Sequence, residues 1–207
     1  EYQRAIIAER RAAPRDDLLS AMLEAEEDGT TLAEGELVAL ASLLLAAGNE
    51  TTTSLIGNAV ILLLRHPGER RRLQDDLALL PSAVEECLRL EPPVQLTDRA
   101  VVEPVELAGV RLEPGTIVAA LLAAANRDPA QFPDAERFDV GRSDNRHLSF
   151  GLGNHFCLGA ALARLEAQVT LGALLRRFPD FDGPAEPPGW KPSIVLRGPT
   201  ALPLRLR

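Results

Sequence analysis

Apolar residues recur at helical spacing over Tyr2–Ala12 and Asp16–Ala25, with Pro14 breaking the pattern between them. The longest apolar stretch, Leu37 to Leu64, is interrupted by Asn49, Glu50 and the threonines Thr51, Thr52 and Thr53. A charge at the middle of a lipid span costs about 2.5–3.5 kcal/mol, so this stretch reads as a buried helix of a water-soluble protein. Thr31 with Glu34 three residues on forms a capping-box pattern at its start, and Arg65 and His66 before Pro67 supply a cationic last turn and a stop. From Leu32 to Arg65 the predicted rod is about 50 Å long. Gly68–Leu79 reads as an arginine-rich surface helix, and Ser82 with Glu85 opens a further capped helix that stops at Pro92-Pro93.

The period then changes. Val101–Leu107, Val110–Leu112 and Thr116–Val118 are short strand-like runs split by Ala108-Gly109 and Pro114-Gly115 turns. A short helix is expected over Leu121–Asn126, then an irregular loop from Asp128 to Arg146, a length that usually signals function. The last helix, Leu158–Phe178, shows apolar spacing at Leu158, Leu162, Leu165, Val169 and Leu174. A Pro/Gly-rich tail follows, with a hairpin expected over Ser193–Leu206. The fold class is mainly α with small β-sheets.

Chemistry concentrates in three places. A lone cysteine is more often an inert core thiol than a reactive one, but the neighbours of Cys157 point the other way. The run Phe150-Gly151-Leu152-Gly153-Asn154-His155-Phe156-Cys157-Leu158-Gly159 puts the thiol just ahead of a helix, where free backbone N–H groups and the dipole favour thiolate. The glycines let a large flat ligand approach, Phe150 shields the sulfur, and no second Cys or His stands at zinc spacing. One thiolate with open space fits an iron porphyrin. Inside the long helix, Ala47-Gly48-Asn49-Glu50-Thr51-Thr52 combines a small pair with an acid and a hydroxyl. Two readings stand: a packing notch with a threonine bonded to the preceding turn, or a ligand face with a proton-passing pair. Glu86 and Arg89 have the i, i+3 spacing of an ion pair.

Composition narrows the function classes. The 207 residues are 46% hydrophobic and 25% charged, enough to bury a core, and the net charge of −8 lacks the basic footprint of a nucleic-acid binder. Cys87 and Cys157 are too few for a secreted disulfide framework, and no basic segment followed by an apolar signal opens the chain, so a reducing cytoplasm is expected, without membrane attachment. Arg70, Arg71, Arg72, Arg142, Arg146 and Arg164 form either a basic docking face or an ordinary solvated one.

The cysteine run resembles the haem-binding loop of the cytochrome P-450 family, the haem-thiolate monooxygenases. Its fixed positions are matched by Phe150, Gly153, His155, Cys157 and Gly159. The resemblance implies haem b with Cys157 as axial iron ligand, His155 and Arg99 as propionate partners, and Ala47 and Gly48 beside the haem. By the same resemblance Glu50 and Thr51 deliver protons during oxygen activation, and Glu86, Arg89 and Arg137 form a structural triad; Ala135 stands where the family often has Pro. Leu43, Val94, Leu96, Val195 and Leu196 match positions facing the substrate pocket, although core packing explains them nearly as well. The family fold and activity then imply a bacterial-type monooxygenase that uses O2 and takes electrons from NAD(P)H through a ferredoxin or flavodoxin and its reductase, acting on a small organic substrate. The resemblance covers the carboxyl-terminal half of a member. The chain is thus expected to be the haem-binding part, 1–207, of a larger domain whose amino-terminal sheet and helices are absent. A non-catalytic fragment and a peroxide-driven haem-thiolate enzyme are the competing expectations.

Overall fold

A computed structural model of the chain describes residues 1–27, 30–184, 186 and 188–207. These form two compact units, Glu1–Glu50 and Thr51–Arg207. The Pro/Gly-rich part of the tail includes positions 185 and 187, which lie outside the described residues.

In the first unit α1 (Tyr2–Ala12) has the expected bounds, whereas α2 (Leu18–Glu24) starts two residues later than expected. The reason is Asp17, which is the N-cap: its carboxylate accepts the Ser20 N–H at 2.9 Å and the Arg10 Nε–H at 2.5 Å. These bonds, Arg10's first, hold the Asp17 carboxyl down at about 2. Two-residue strands β1 (Glu26–Glu27) and β2 (Thr30–Thr31) pair antiparallel and are too short for any periodicity to reveal. Ile7, Met22 and Leu37 meet in a small core. The long helix α3 (Glu34–Arg65) begins in this unit. Its capping contact is not the expected Thr31/Glu34 pair. The Glu36 carboxylate takes the Ala33 N–H at 2.8 Å, and the Leu37 N–H closes onto the Ala33 carbonyl, so the cap sits two residues on.

In the second unit the expected helix Gly68–Leu79 is two elements, α4 (Pro67–Asp75) and a 3-10 turn over Leu77–Leu79. Asp76 ends the first and caps the second by accepting the Ala78 N–H at 3.0 Å. Helix α5 (Leu80–Leu90) then starts with Pro81 in its first turn, so Ser82 is not its cap; the Ser82 Oγ bonds the Leu79 and Val140 carbonyls instead.

Four strands follow: β3 (Thr97–Ala100), β4 (Val105–Leu107), β5 (Val110–Leu112) and β6 (Ile117–Ala120). β4 and β5 are a tight antiparallel hairpin, whereas β3 pairs with β6 in the register Arg99↔Val118. The expected strand Val101–Leu107 therefore splits, because Pro104 has no N–H to give a ladder, and the chain before it pairs from Thr97. A short helix α6 (Leu122–Ala125) leads into the irregular loop, and after the cysteine comes α7 (Ala160–Arg177).

The expected hairpin Ser193–Leu206 does not form. Its first part runs beside the end of α5, with Val94 bridged to Leu196 and the Arg197 N–H on the Pro93 carbonyl at 2.8 Å, while β8 (Arg205–Leu206) pairs with β7 (Phe181–Asp182). The apolar stripe of α7 is also a correction. Ala160, Ala167, Leu171 and Leu175 face the core, whereas Leu162, Leu165 and Val169 are exposed, as is Leu158 just ahead of the helix at 88%. The core of this unit joins Leu55, Ala59 and Leu63 of α3 to Val84 and Leu88 of α5, Phe138 and Val140 of the loop, and Leu171 of α7.

Inside that core Asn58, fully buried on α3, donates to the carbonyls of Glu91 and Arg197 at 3.0 and 3.1 Å and so ties α3 to the chain after α5 and to the tail. The tail can lie this close because Gly198 has no side chain: a Cβ there would stand 2.6 Å from the Cβ of Ser54. Gly198→Ala is predicted to lower the unfolding free energy by about 1–3 kcal/mol through overpacking, read by denaturant titration.

Candidate functional site

The site is assembled around two neighbouring carboxylates on α5. Glu86 and Arg89 are both 0% exposed and joined by two parallel bonds, Nε to Oε2 at 2.8 Å and Nη2 to Oε1 at 2.9 Å. The remaining valences are used. Arg89 Nη1 donates to the carbonyls of Asn126 and Ala135 at 2.9 and 2.7 Å, and Glu86 accepts the Asp139 N–H and the Asn145 amide.

The expected third member is corrected here. The cation that meets Glu86 from the loop is Arg142, whose Nε lies 3.1 Å from both oxygens. Arg137 takes part through its backbone, its carbonyl accepting from Arg89 and Arg142 at 3.2 Å, while its side chain is exposed. Neighbouring Phe138 fills the core, which turns Arg137 outward.

From Arg89 the bonds run on toward the cysteine. Asn126, fully buried, accepts the Leu148 N–H at 2.7 Å and donates to Ser149 Oγ at 2.9 Å; Ser149 in turn donates to the Leu88 carbonyl at 2.7 Å. The second carboxylate, Glu85, takes a two-pronged bond from Arg164 of α7 at 2.7 and 2.8 Å and one from His147 Nε2 at 3.1 Å. The Ser149 N–H donates to His147 Nδ1, which fixes the proton of a neutral imidazole on Nε2. Burial pushes Glu85 up, but the bonds from Arg164 and His147 outweigh it and hold the carboxyl at about 2.

These contacts lead into the loop carrying the thiol. The Arg164 guanidinium lies over the Phe150 ring at 4.5 Å, and the Phe150 carbonyl accepts the Cys157 N–H at 2.9 Å. Gly151 and Gly153 sit at φ 71° and 72°, the left-handed region a side chain would strain, and this curls the loop back so that Cys157 is presented three residues before α7. Cys157 is exposed, whereas Cys87 is enclosed in the core, where burial pushes its thiol up.

Around Cys157 the surface is apolar and open. Leu152, Phe156, Leu158 and Leu162 are exposed, and a Cβ built at Gly153 or Gly159 would touch nothing within 4 Å. Among the described residues no three His, Cys, Asp or Glu side chains cluster to hold a bare ion. A single soft donor fits a metal that brings its other donors in a flat macrocycle, as a porphyrin does.

The other expected residues are placed as follows. His155 closes a 3-10 turn, Gly153–His155, and is exposed. Arg99 on β3 is exposed too, its Nη1 bonding Thr97 Oγ1 and the Asp98 carbonyl. Val94, Leu96, Val195 and Leu196 are brought together, with Val94 bridged to Leu196 and the Gln95 N–H on the Val195 carbonyl at 2.8 Å. On α3, Leu43, Ala47, Gly48 and Glu50 are exposed at the end of the first unit, and Thr51, half-buried, opens the second.

Of the two readings of the arginine cluster, the ion pairs favour the ordinary face over the docking one. Arg72 pairs with Asp139 at 2.7 Å, Arg142 with Glu86, Arg164 with Glu85 and Arg146 with Asp144, so much of its charge is neutralised in place. The sequence reading missed Asn126, Ser149, His147 and the Glu85–Arg164 pair. The signal available for them was the density of polar residues in a stretch that otherwise packs against the core.

Comparison with known proteins places this geometry. The family model described as Cytochrome P450 matches residues 2–195. The chain is 50% identical over 208 residues to Cytochrome P450 107B1 of Saccharopolyspora erythraea, covering 99% of this chain and 51% of that one. It is 45% identical to the 6-deoxyerythronolide B hydroxylase of the same organism, covering 97% and 50%. The crystal structure of the myxobacterial cytochrome P450 CYP267B1 in complex with myristic acid superposes with a TM-score of 0.93 at 51% identity, over 100% of this chain and 52% of that one. The chain thus spans about half the length of the curated relatives it matches, and with a family model covering nearly all of it, it belongs to the cytochrome P450 family.

Proposed function

We propose that this chain supplies the haem-thiolate centre of a bacterial-type monooxygenase that inserts one atom of O2 into a small organic substrate, with electrons arriving from NAD(P)H through a ferredoxin or flavodoxin. The observation that carries the reading is the presentation of Cys157: an exposed thiol just ahead of α7, on a residue whose backbone N–H is held by the Phe150 carbonyl, surrounded by open glycines and exposed apolar side chains. Two relatives support the substrate class. One is by its name a hydroxylase of 6-deoxyerythronolide B, and one solved neighbour holds myristic acid. The proposed place of action is the cytoplasm; no helix among the described residues is long and apolar enough to cross a membrane.

Haem held through Cys157 would supply the oxygen activation and electron storage that side chains lack. The chain's own residues do the rest. The Cys157 sulfur would be the protein's donor to the iron, and the Cys157 backbone N–H, committed to the Phe150 carbonyl, orients that residue. The Arg99 guanidinium and the His155 ring are assigned to the propionates, for which a planar fork and a ring N–H are suited donors. Ala47 and Gly48 of α3 are assigned to cofactor binding, where their small size would leave room for a flat ligand. The Thr51 hydroxyl and the Glu50 carboxylate, consecutive on that helix, are assigned the protons of the reaction. Val94, Leu96, Val195 and Leu196, gathered on one paired segment, together with Leu43, are assigned to the apolar substrate wall.

A second reading has its own observation. Leu158, Leu162, Leu165 and Val169 leave an apolar stripe uncovered, as a fragment that needs the other half of its relatives' length would. The absorbance of the reduced protein with and without carbon monoxide separates the two. The proposal predicts a red-shifted thiolate band that is lost in Cys157→Ser; absence of haem uptake by the unaltered protein contradicts it and favours the fragment. In the haem-loaded protein Thr51→Ala is predicted to keep that band while diverting reducing equivalents from product to peroxide, and unchanged coupling would remove Thr51 from the proton path.

A further inference from the structure

We propose that Glu85 is a positioning residue for the cysteine loop, gripping His147 and Arg164 together so that Phe150, and with it the backbone of Cys157, has one place to stand. The inference deepens the reading of Cys157 as the iron ligand and rests on it.

Glu85 lies beside Glu86 in sequence but serves a separate set of groups. Glu86 faces the buried pair with Arg89 and the loop residues Asp139, Arg142 and Asn145, whereas Glu85 accepts from Arg164 and His147. Its three acceptor contacts join three separate stretches of chain: α5, the segment just before the cysteine, and α7 just after it.

His147 is 3% exposed in its side chain, and both its nitrogens are committed, Nε2 to Glu85 and Nδ1 to the Ser149 N–H. That fixes the segment entering Phe150. On the other side the Arg164 fork is flattened by Glu85 over the Phe150 ring at 4.5 Å, with the His147 ring 6.0 Å from the same ring, so Phe150 is boxed by two groups that Glu85 itself holds. The last link is covalent geometry: the carbonyl of that boxed residue is the acceptor of the Cys157 N–H at 2.9 Å. The loop between, 151 to 156, contains two left-handed glycines and has five of its six residues exposed; its own ties are the Gly151 N–H on the Leu148 carbonyl, the Phe156 N–H on the Gly153 carbonyl and the Phe156 ring 6.3 Å from that of Phe150, so Phe150 anchors it from within as well. A cation–π contact and charged hydrogen bonds of this kind hold geometry because each partner is planar or forked and accepts few alternatives.

Backbone hydrogen exchange at Ser149 and Cys157 in the haem-free chain tests this with Glu85→Ala, Arg164→Met and the double variant. Alanine suits the helix, so α5 is expected to survive the change. Each single variant is predicted to speed exchange at both amides by about tenfold, with exchange over the core of α3 unchanged. The double variant is predicted to be little faster than the faster single one, because both act through one path. Glu85→Gln, which keeps an acceptor of the same size without the charge, should fall between. Unchanged exchange at both amides in both single variants, or effects that multiply in the double, would overturn the proposal, and Arg164→Met decides alone should Glu85→Ala not fold. In the haem-loaded protein the carbon monoxide band of Glu85→Ala is expected to move in part to shorter wavelength. A wild-type protein that lacks the thiolate band contradicts the haem reading and not the grip of Glu85, which the exchange data decide by themselves.

Discussion

The buried pair of Glu86 and Arg89 is the constraint on which the rest of the site depends. Two charges with no solvent exposure are stable only if every valence is met, and here they are met by groups far apart in sequence: Asn126, Ala135, Asp139, Arg142 and Asn145. The irregular loop has no helix or sheet to define it, so its path is set by which of its carbonyls, amides and cations reach this pair. Desolvation therefore does for residues 126 to 145 what a ladder of backbone hydrogen bonds does for a strand. Asn126 then passes the order on to Leu148 and Ser149, and Glu85 passes it to His147, Phe150 and α7. The thiol of Cys157 stands at the end of that chain of contacts.

Much of this was legible in the sequence, and the parts that were not share a cause. The long helix, the last helix and the cysteine loop are strong local signals, written in periodicity and in a dense run of glycines around one thiol. The Glu86–Arg89 spacing was legible as a pair. Its burial, its acceptor carbonyls and the choice of Arg142 over Arg137 were not, because each depends on where a loop without periodicity returns in space. Capping was misread at Thr31 and Ser82 for a related reason. Ser/Thr followed by Glu fits a cap at more than one register, and tertiary contacts chose otherwise: Ser82 reaches Val140, and Glu85 reaches α7.

The α7 stripe shows the opposite failure. Its apolar spacing at Leu162, Leu165 and Val169 is what a core-facing helix carries, yet those residues are exposed and a smaller set, Ala160, Ala167, Leu171 and Leu175, packs inward. A helix with apolar residues on two sides is built to be covered on both. The chain spans about half the length of the relatives it matches.

If the ion pair organises the site, the measurement closest to that claim is equilibrium unfolding of Glu86→Gln, Arg89→Met and the double variant. Removing one partner strands the other charge in the core, so each single change is predicted to cost about 3–5 kcal/mol, and the double clearly less than their sum. Single variants within about 0.5 kcal/mol of the unaltered chain, or strictly additive losses, would contradict the claim that this pair holds the loop and the cysteine behind it.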